Sequence, residues 1–140
     1  MINRRHQVSG TAEAEYTADV ALAAQFDDLL AKARSAEQVF REAQARAAAN
    51  TELYPLAIRL DAALTDAMRA AYAARRAEIG PRGYDDWIYR RKAMAKSAVH
   101  AWTDEAERLL TMRETHRLTG VPPRPRTDLP DAAAVTNVPA

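Results

Sequence analysis

Apolar residues recur at helical spacing along most of this chain. In the first half they alternate steps of four and three residues, which is the spacing of an a/d seam in a coiled coil. A similar stripe follows in the middle of the chain, and a seven-residue repeat follows in the last third. The three predicted seams are Leu22, Phe26, Leu29, Ala33, Ala36, Phe40, Ala43 and Ala47; Leu53, Leu56, Leu60, Leu64, Met68 and Ala71; and Ile88, Ala95, Trp102, Leu109 and His116, with Met94, Ala98 and Met112 alongside.

Breaks in this pattern predict three long helices, at residues 11–49, 51–79 and 85–118. Ser9 or Thr11 can cap the first helix, because a hydroxyl at this position accepts a hydrogen bond from the exposed backbone N–H groups. A bent first helix, or a first helix that continues into the second, are alternatives that the pattern leaves open.

The second and third helices end at specific stop signals. Gly80 can adopt the left-handed cap conformation after the second helix, and Pro81 prevents the helix from continuing. Asp85 or Asp86 can cap the third helix, which Gly120 then terminates.

These features predict an all-α fold. We expect an elongated antiparallel helical hairpin or a three-helix bundle of long, coiled-coil-like helices over residues 11–118. Residues 1–10 are expected to form a flexible N-terminal arm. Residues 119–140 contain five of the seven prolines, which predicts an extended, Pro-rich C-terminal tail.

Composition narrows the class of protein. The 140 residues fit one domain, and 32 of them are alanine, which favours helices but buries little apolar area. The absence of cysteine excludes disulfides and thiol chemistry. No apolar run resembles a signal peptide or a membrane span. We therefore expect a cytoplasmic protein, or one inside a virion or other large assembly, that does not bind membranes.

Charge is unevenly distributed although the net charge is only +1. Residues 11–66 carry five basic and ten acidic groups, whereas residues 67–99 carry eight basic and three acidic groups. The two regions can neutralise each other within an antiparallel pair of helices, or the basic region can bind an acidic partner or nucleic acid. The residues predicted for nucleic-acid binding are Arg75, Arg76, Arg82, Arg90, Arg91, Lys92 and Lys96.

Residues 82–91 concentrate tryptophan, tyrosine and arginine, the residue types that dominate interface hot spots. Neighbouring positions on a helix cannot all face the core, so part of this stretch should face outward. The alternative is that Trp87 or Ile88 closes the end of the bundle. The residues predicted to bind a protein partner are Arg82, Tyr84, Trp87, Tyr89, Arg90 and Arg91.

Catalytic motifs are weak in this sequence. Ser97, His100 and Asp104 share one helical face, but a straight helix offers neither a strained nucleophile turn nor an oxyanion hole. His100 and Asp104, at i and i+4, are only two ligands and do not make a metal site. His116 belongs to the apolar seam. We expect no enzymatic activity, cofactor or metal.

The leading hypothesis is a non-catalytic structural or assembly protein that packs helices in a homo-oligomer or larger complex. A phage or bacterial assembly component is one such setting, which the high alanine and arginine content favours. The second hypothesis is a nucleic-acid-binding regulator or packaging factor that uses the basic region of residues 75–96.

Overall fold

A computed structural model of the chain describes residues 8–126. Within this range the chain forms helices and no strands, so the all-α prediction is confirmed. Residues 1–7 and 127–140, which hold most of the predicted arm and tail, lie outside the described residues. The elements are α1 (Gly10–Ala23), α2 (Phe26–Ala45), α3 (Asn50–Ile79), α4 (Arg82–Asp85), α5 (Trp87–Ala93), α6 (Ser97–Thr115) and a π-helical turn (His116–Gly120).

Local chemistry sets three of the helix boundaries. The Ser9 side chain accepts a hydrogen bond from the backbone N–H of Ala12 and caps α1. Gly80 ends α3 with a φ of +95°, a conformation that favours glycine. The Asp86 side chain accepts from the backbone N–H of Tyr89 at 3.0 Å and caps α5. These three predicted boundaries are confirmed.

The prediction of one continuous helix over residues 11–49 is wrong, and of the two alternatives the bent first helix is the one found. The chain turns between α1 and α2 at Ala24 and Gln25, and α2 already ends at Ala45. The turn lets α1 pack against both α3 and α4 while α2 packs along α3. Ala47, predicted on the first seam, is instead exposed in the following turn with a φ of +55°.

The prediction of a continuous third helix is also wrong. The break after α5 spans residues 94–96 and shifts the helical phase, so residues on either side no longer share a face. Ile88 is 52% exposed and Ala95 is exposed, although both were expected on the seam. Ala98 is exposed as well. Beyond the break Leu109 is fully buried, and His116 lies in the core as predicted.

The long helix α3 is the centre of the fold and packs against α1, α2 and α6. Ser9, just before α1, contacts Asp85, just beyond α3, and Asp19 farther along α1 contacts Arg76, which is earlier in the chain. His116, just after α6, contacts Ala57 near the start of α3. Both α1 and α6 therefore run antiparallel to α3. Helices on several sides of α3 bury its small side chains, among them Ala57, Ala67, Ala70, Ala71, Ala73 and Ala74.

Two apolar clusters fill the interior. The larger one joins α2, α3 and α6 and includes an edge-to-face contact of the Phe26 and Trp102 rings, whose centroids are 5.1 Å apart. The smaller one, formed by Ile79, Ala93 and Val99, lies beneath α5. The smaller cluster fixes α5 on the end of the helical core, where the candidate site lies.

Candidate interaction surface

The turn that carries α4 and α5 is held firmly to the rest of the fold. Gly83 packs so closely on Ile79 that a side chain at this position would overlap the isoleucine. The backbone N–H and the hydroxyl of Ser9 donate to the two carboxylate oxygens of Asp85, at 2.9 and 3.1 Å. The Arg82 guanidinium lies over the Tyr89 ring, 4.6 Å from its centroid. These contacts fix the position of α5 on the rest of the fold.

A cluster of polar side chains joins α1, α3 and α4 beside this turn. Arg76 donates two hydrogen bonds to the Asp19 carboxylate, at 2.8 and 3.0 Å, and the Tyr84 hydroxyl donates to the same carboxylate. Burial alone would raise the pKa of Asp19, but the hydrogen bonds from Arg76 and Tyr84 and the charge of Arg76 hold it below its usual value. Burial, followed by the contact with Asp19, raises the pKa of Tyr84. Tyr84, predicted to bind a partner, therefore has its hydroxyl engaged within the chain.

The outer surface of α5 is both apolar and basic. Trp87 is 61% exposed, and Ile88 beside it is also largely exposed. The inward side is formed by Tyr89 and Ala93, which pack on the smaller apolar cluster. The alternative in which Trp87 or Ile88 closes the bundle is therefore wrong. We call Trp87, Ile88, Arg90, Arg91 and Lys92 the α5 patch.

The cations of this region are not neutralised by neighbouring carboxylates. Arg90, Arg91 and Lys92 are exposed, and so is Lys96 just beyond α5. Within residues 8–126 none of these four side chains makes a hydrogen bond or an ion pair. Within the described part of the chain, no carboxylate therefore neutralises these four charges.

The other residues predicted for nucleic-acid binding are already engaged. Arg75 lies over the Tyr72 ring, 5.0 Å from its centroid, and its Nε is buried. Arg76 is paired with Asp19, and Arg82 stacks on Tyr89. The fold thus leaves four of the seven predicted cations available and ties the other three into the chain.

Two exposed acidic residues of α1, Glu13 and Glu15, lie at the same end of the molecule, but side chains two positions apart on a helix face different sides, and only Glu15 lies on the side of Asp19. Both side chains are exposed, and neither forms an ion pair within the described part of the chain. Glu15 and Arg90 line one shallow depression together with the Asp19 cluster. One free carboxylate within the described residues, that of Glu15, therefore lies next to the positive α5 patch. In the sequence Glu13 and Glu15 belong to the acidic region of residues 11–66, which was predicted to pair with the basic region of residues 67–99. Such a pair between the two regions is seen at Asp19 and Arg76.

The weak catalytic candidates lie on an open surface of α6. Ser97 is exposed, and His100 contacts Asp104 at 3.2 Å with both side chains largely in solvent. Among residues 8–126 no three histidine or carboxylate side chains are grouped as a metal site would require.

Neither family models, nor curated proteins, nor solved structures gave any match to this chain. No helix between residues 8 and 126 combines the length and the apolar character needed to cross a membrane. The proposal below therefore depends on the geometry of the chain itself.

Proposed function

We propose that this chain is a non-catalytic structural or assembly protein that acts through helix packing in a homo-oligomer or larger complex. The α5 patch is the observation that carries the proposal. An exposed tryptophan beside an isoleucine and several arginines has the composition of an interface hot spot. The anchored turn beneath it limits the conformational entropy that binding would cost.

The partner that we propose is a second copy of the chain. The α5 patch is positive, and the exposed Glu15 of α1 beside it is negative. A surface with adjacent halves of opposite charge becomes complementary to itself after a two-fold rotation, since each half then faces its opposite on the other copy. In such a dimer Trp87 and Ile88 would be covered near the centre of the contact.

The long seams of α2 and α3 have a supporting role in this proposal. Most of the predicted seam residues on these two helices face the larger apolar cluster. We propose that they form an elongated, coiled-coil-like bundle that acts as a rigid body behind the interface. Such a unit would suit a cytoplasmic complex or a virion, where many copies must adopt one geometry.

The first experiment is the absolute mass of the full-length protein, measured by light scattering on a sizing column. The proposal predicts a defined multiple of 15.5 kDa. The double variant Trp87→Ser/Ile88→Ser should run as a monomer, whereas Leu118→Ser, at an exposed apolar position outside the patch, should leave the mass unchanged. A wild-type monomer at high protein concentration would refute self-association.

Charge reversal tests the two-fold arrangement separately. Each of the variants Glu15→Lys and Arg90→Glu/Arg91→Glu/Lys92→Glu places like charges across the contact and should be monomeric. Mixed together, they should form a heterodimer, because every positive surface then faces a negative one. If the serine variant is monomeric but the mixture does not associate, self-association remains and the two-fold pairing is wrong.

A second candidate function is nucleic-acid binding through the four unpaired cations, Arg90, Arg91, Lys92 and Lys96. Several phosphate contacts predict affinity that falls steeply between low and physiological salt. The variant Arg90→Ser/Arg91→Ser/Lys92→Ser should lose this binding. Arg75→Ser should keep it, because Arg75 is engaged with Tyr72. No binding of DNA or RNA at low salt would exclude this function.

A further inference from the structure

A cleft lies at the opposite end of α6 from the α5 patch, between α2, α3 and the π-helical turn. Its volume is about 400 Å³, within the range typical of small-molecule sites. Phe40, Leu60, Leu64 and Met112 provide its apolar walls. Threonines and Gln44 form much of its polar rim. The cleft is therefore mainly apolar and opens to solvent through a polar edge.

His116 places one polar atom in this apolar setting. The residue is only 8% exposed, and its Nε2 lies 2.8 Å from the carbonyl oxygen of Ala57. A carbonyl can only accept, so Nε2 must carry the hydrogen. In the neutral ring Nδ1 is then a hydrogen-bond acceptor, and no donor within residues 8–126 reaches it. An unpaired acceptor in a largely buried side chain is costly unless water or a ligand satisfies it.

The π-helical turn keeps this nitrogen accessible from the cleft. Gly120 packs so closely on the imidazole that a Cβ there would lie 2.6 Å from Nδ1. Nδ1 is not among the fully buried side-chain atoms that lack a partner, so it keeps some contact with solvent. The Phe40 ring meets the imidazole edge-to-face, with centroids 5.4 Å apart, and holds it in place.

The charge at the rim indicates what kind of molecule fits. Glu37 and Arg41 both line the cleft and neutralise each other through an ion pair of 3.0 Å. The cleft therefore requires no net charge from its ligand. We propose that it binds a small, neutral, mostly apolar molecule that carries one hydrogen-bond donor, and that the donor is placed on His116 Nδ1. This inference is independent of the proposed self-association.

Indole and indene are suitable probes for this site, because they have nearly the same shape and only indole has an N–H donor. Each is titrated into the ¹⁵N-labelled full chain while amide shifts are followed by NMR. We expect saturable shifts for indole at Phe40, Leu64, His116 and Gly120, and a change in the ¹⁵N shift of His116 Nδ1. Indene should bind roughly tenfold more weakly, the factor that one good hydrogen bond contributes. A purely apolar cleft would instead prefer indene.

Two tryptophan variants locate the binding. Thr115 is an exposed residue on the rim, so Thr115→Trp should fill the mouth of the cleft without disturbing the core and should abolish the indole shifts. Glu107→Trp, at another exposed position on α6 that does not line the cleft, should leave them unchanged. Indene binding as tightly as indole, indole shifts that survive Thr115→Trp, or no saturable shift would each overturn the proposal.

Discussion

Replacing Asp19 with asparagine should measurably destabilise the fold, because this carboxylate joins three helices. It accepts hydrogen bonds from Arg76 on α3 and Tyr84 on α4 while lying on α1. Asparagine keeps the shape of the side chain but loses the charge and one acceptor oxygen. The variant therefore removes the negative charge and replaces one acceptor oxygen with an NH2 donor that faces Arg76 or Tyr84.

The size of the effect follows from the burial of the two charges. Asp19 is 9% exposed, whereas the Arg76 side chain is 44% exposed. Exposed ion pairs contribute about 0–1 kcal/mol, and breaking a buried pair costs about 3–5 kcal/mol. Because this cluster lies between the two limits, we expect the free energy of unfolding to fall by about 2 kcal/mol.

The pH dependence supplies an independent check. The pKa of Asp19 is lower in the folded chain than in the unfolded one, so the unfolded chain binds the proton more readily. Its stabilising contribution is therefore complete above the usual carboxyl pKa of about 4 and is lost as the pH falls through the lower, folded-state value. The difference between wild type and Asp19→Asn should be full at neutral pH and should shrink below about pH 4.

Urea unfolding followed by helical circular dichroism measures both quantities. Asp66→Asn is the matched control, because Asp66 is exposed on α3 and forms no ion pair within the described residues. This control should change the stability by less than about 0.5 kcal/mol. Equal stabilities of the two variants at neutral pH, or a difference that is unchanged at low pH, would refute the assigned role of Asp19.

Further predictions concern the core and the helix termini. Leu109→Ala should lower the free energy of unfolding by about 3 kcal/mol in urea unfolding, since Leu109 is fully buried, while Leu118→Ala should have little effect because Leu118 is 83% exposed. Gly80→Ala should cost roughly 1–2 kcal/mol, because alanine is strained at the positive φ of this cap. Gly10→Ala should instead stabilise the chain by up to about 1 kcal/mol, because Gly10 begins α1 with open space around its Cα. Identical shifts of the thermal midpoint for Gly80→Ala and Gly10→Ala would contradict this explanation.

The sequence revealed the features of the fold that depend on local chemistry. The caps at Ser9 and Asp86 and the stop at Gly80 are visible because a single residue type satisfies the exposed backbone groups of a helix end. The breaks at Ala24–Gln25 and at residues 94–96 carry no glycine or proline. Tertiary packing produces them, as α1 and α5 each turn to cover a different part of the core, and such packing outweighs weak helix propensities.

The candidate site was predictable in composition but not in detail. The cluster of aromatic and basic residues identified α5, yet nothing local distinguishes Arg90, which remains unpaired, from Arg76, which is neutralised. That distinction depends on the antiparallel register, which brings Asp19 from 57 positions away to Arg76. The cleft at His116 was missed for the same reason, since its walls come from three separate helices, although the sequence did place this histidine in the core.

The distribution of large apolar side chains bears on the proposed interface around α5. Much of the buried surface of α3 is alanine, which contributes little apolar area per residue, and Leu109 and Val99 are the largest fully buried side chains among residues 8–126. A chain with so thin a core nevertheless leaves Trp87 and Ile88 in solvent on an anchored helix. Covering them in a dimer would add apolar burial that the monomer lacks, and would link folding to association. The thermal midpoint of the wild type should then rise with protein concentration, whereas that of Trp87→Ser/Ile88→Ser should not, because the serine variant has no interface to gain.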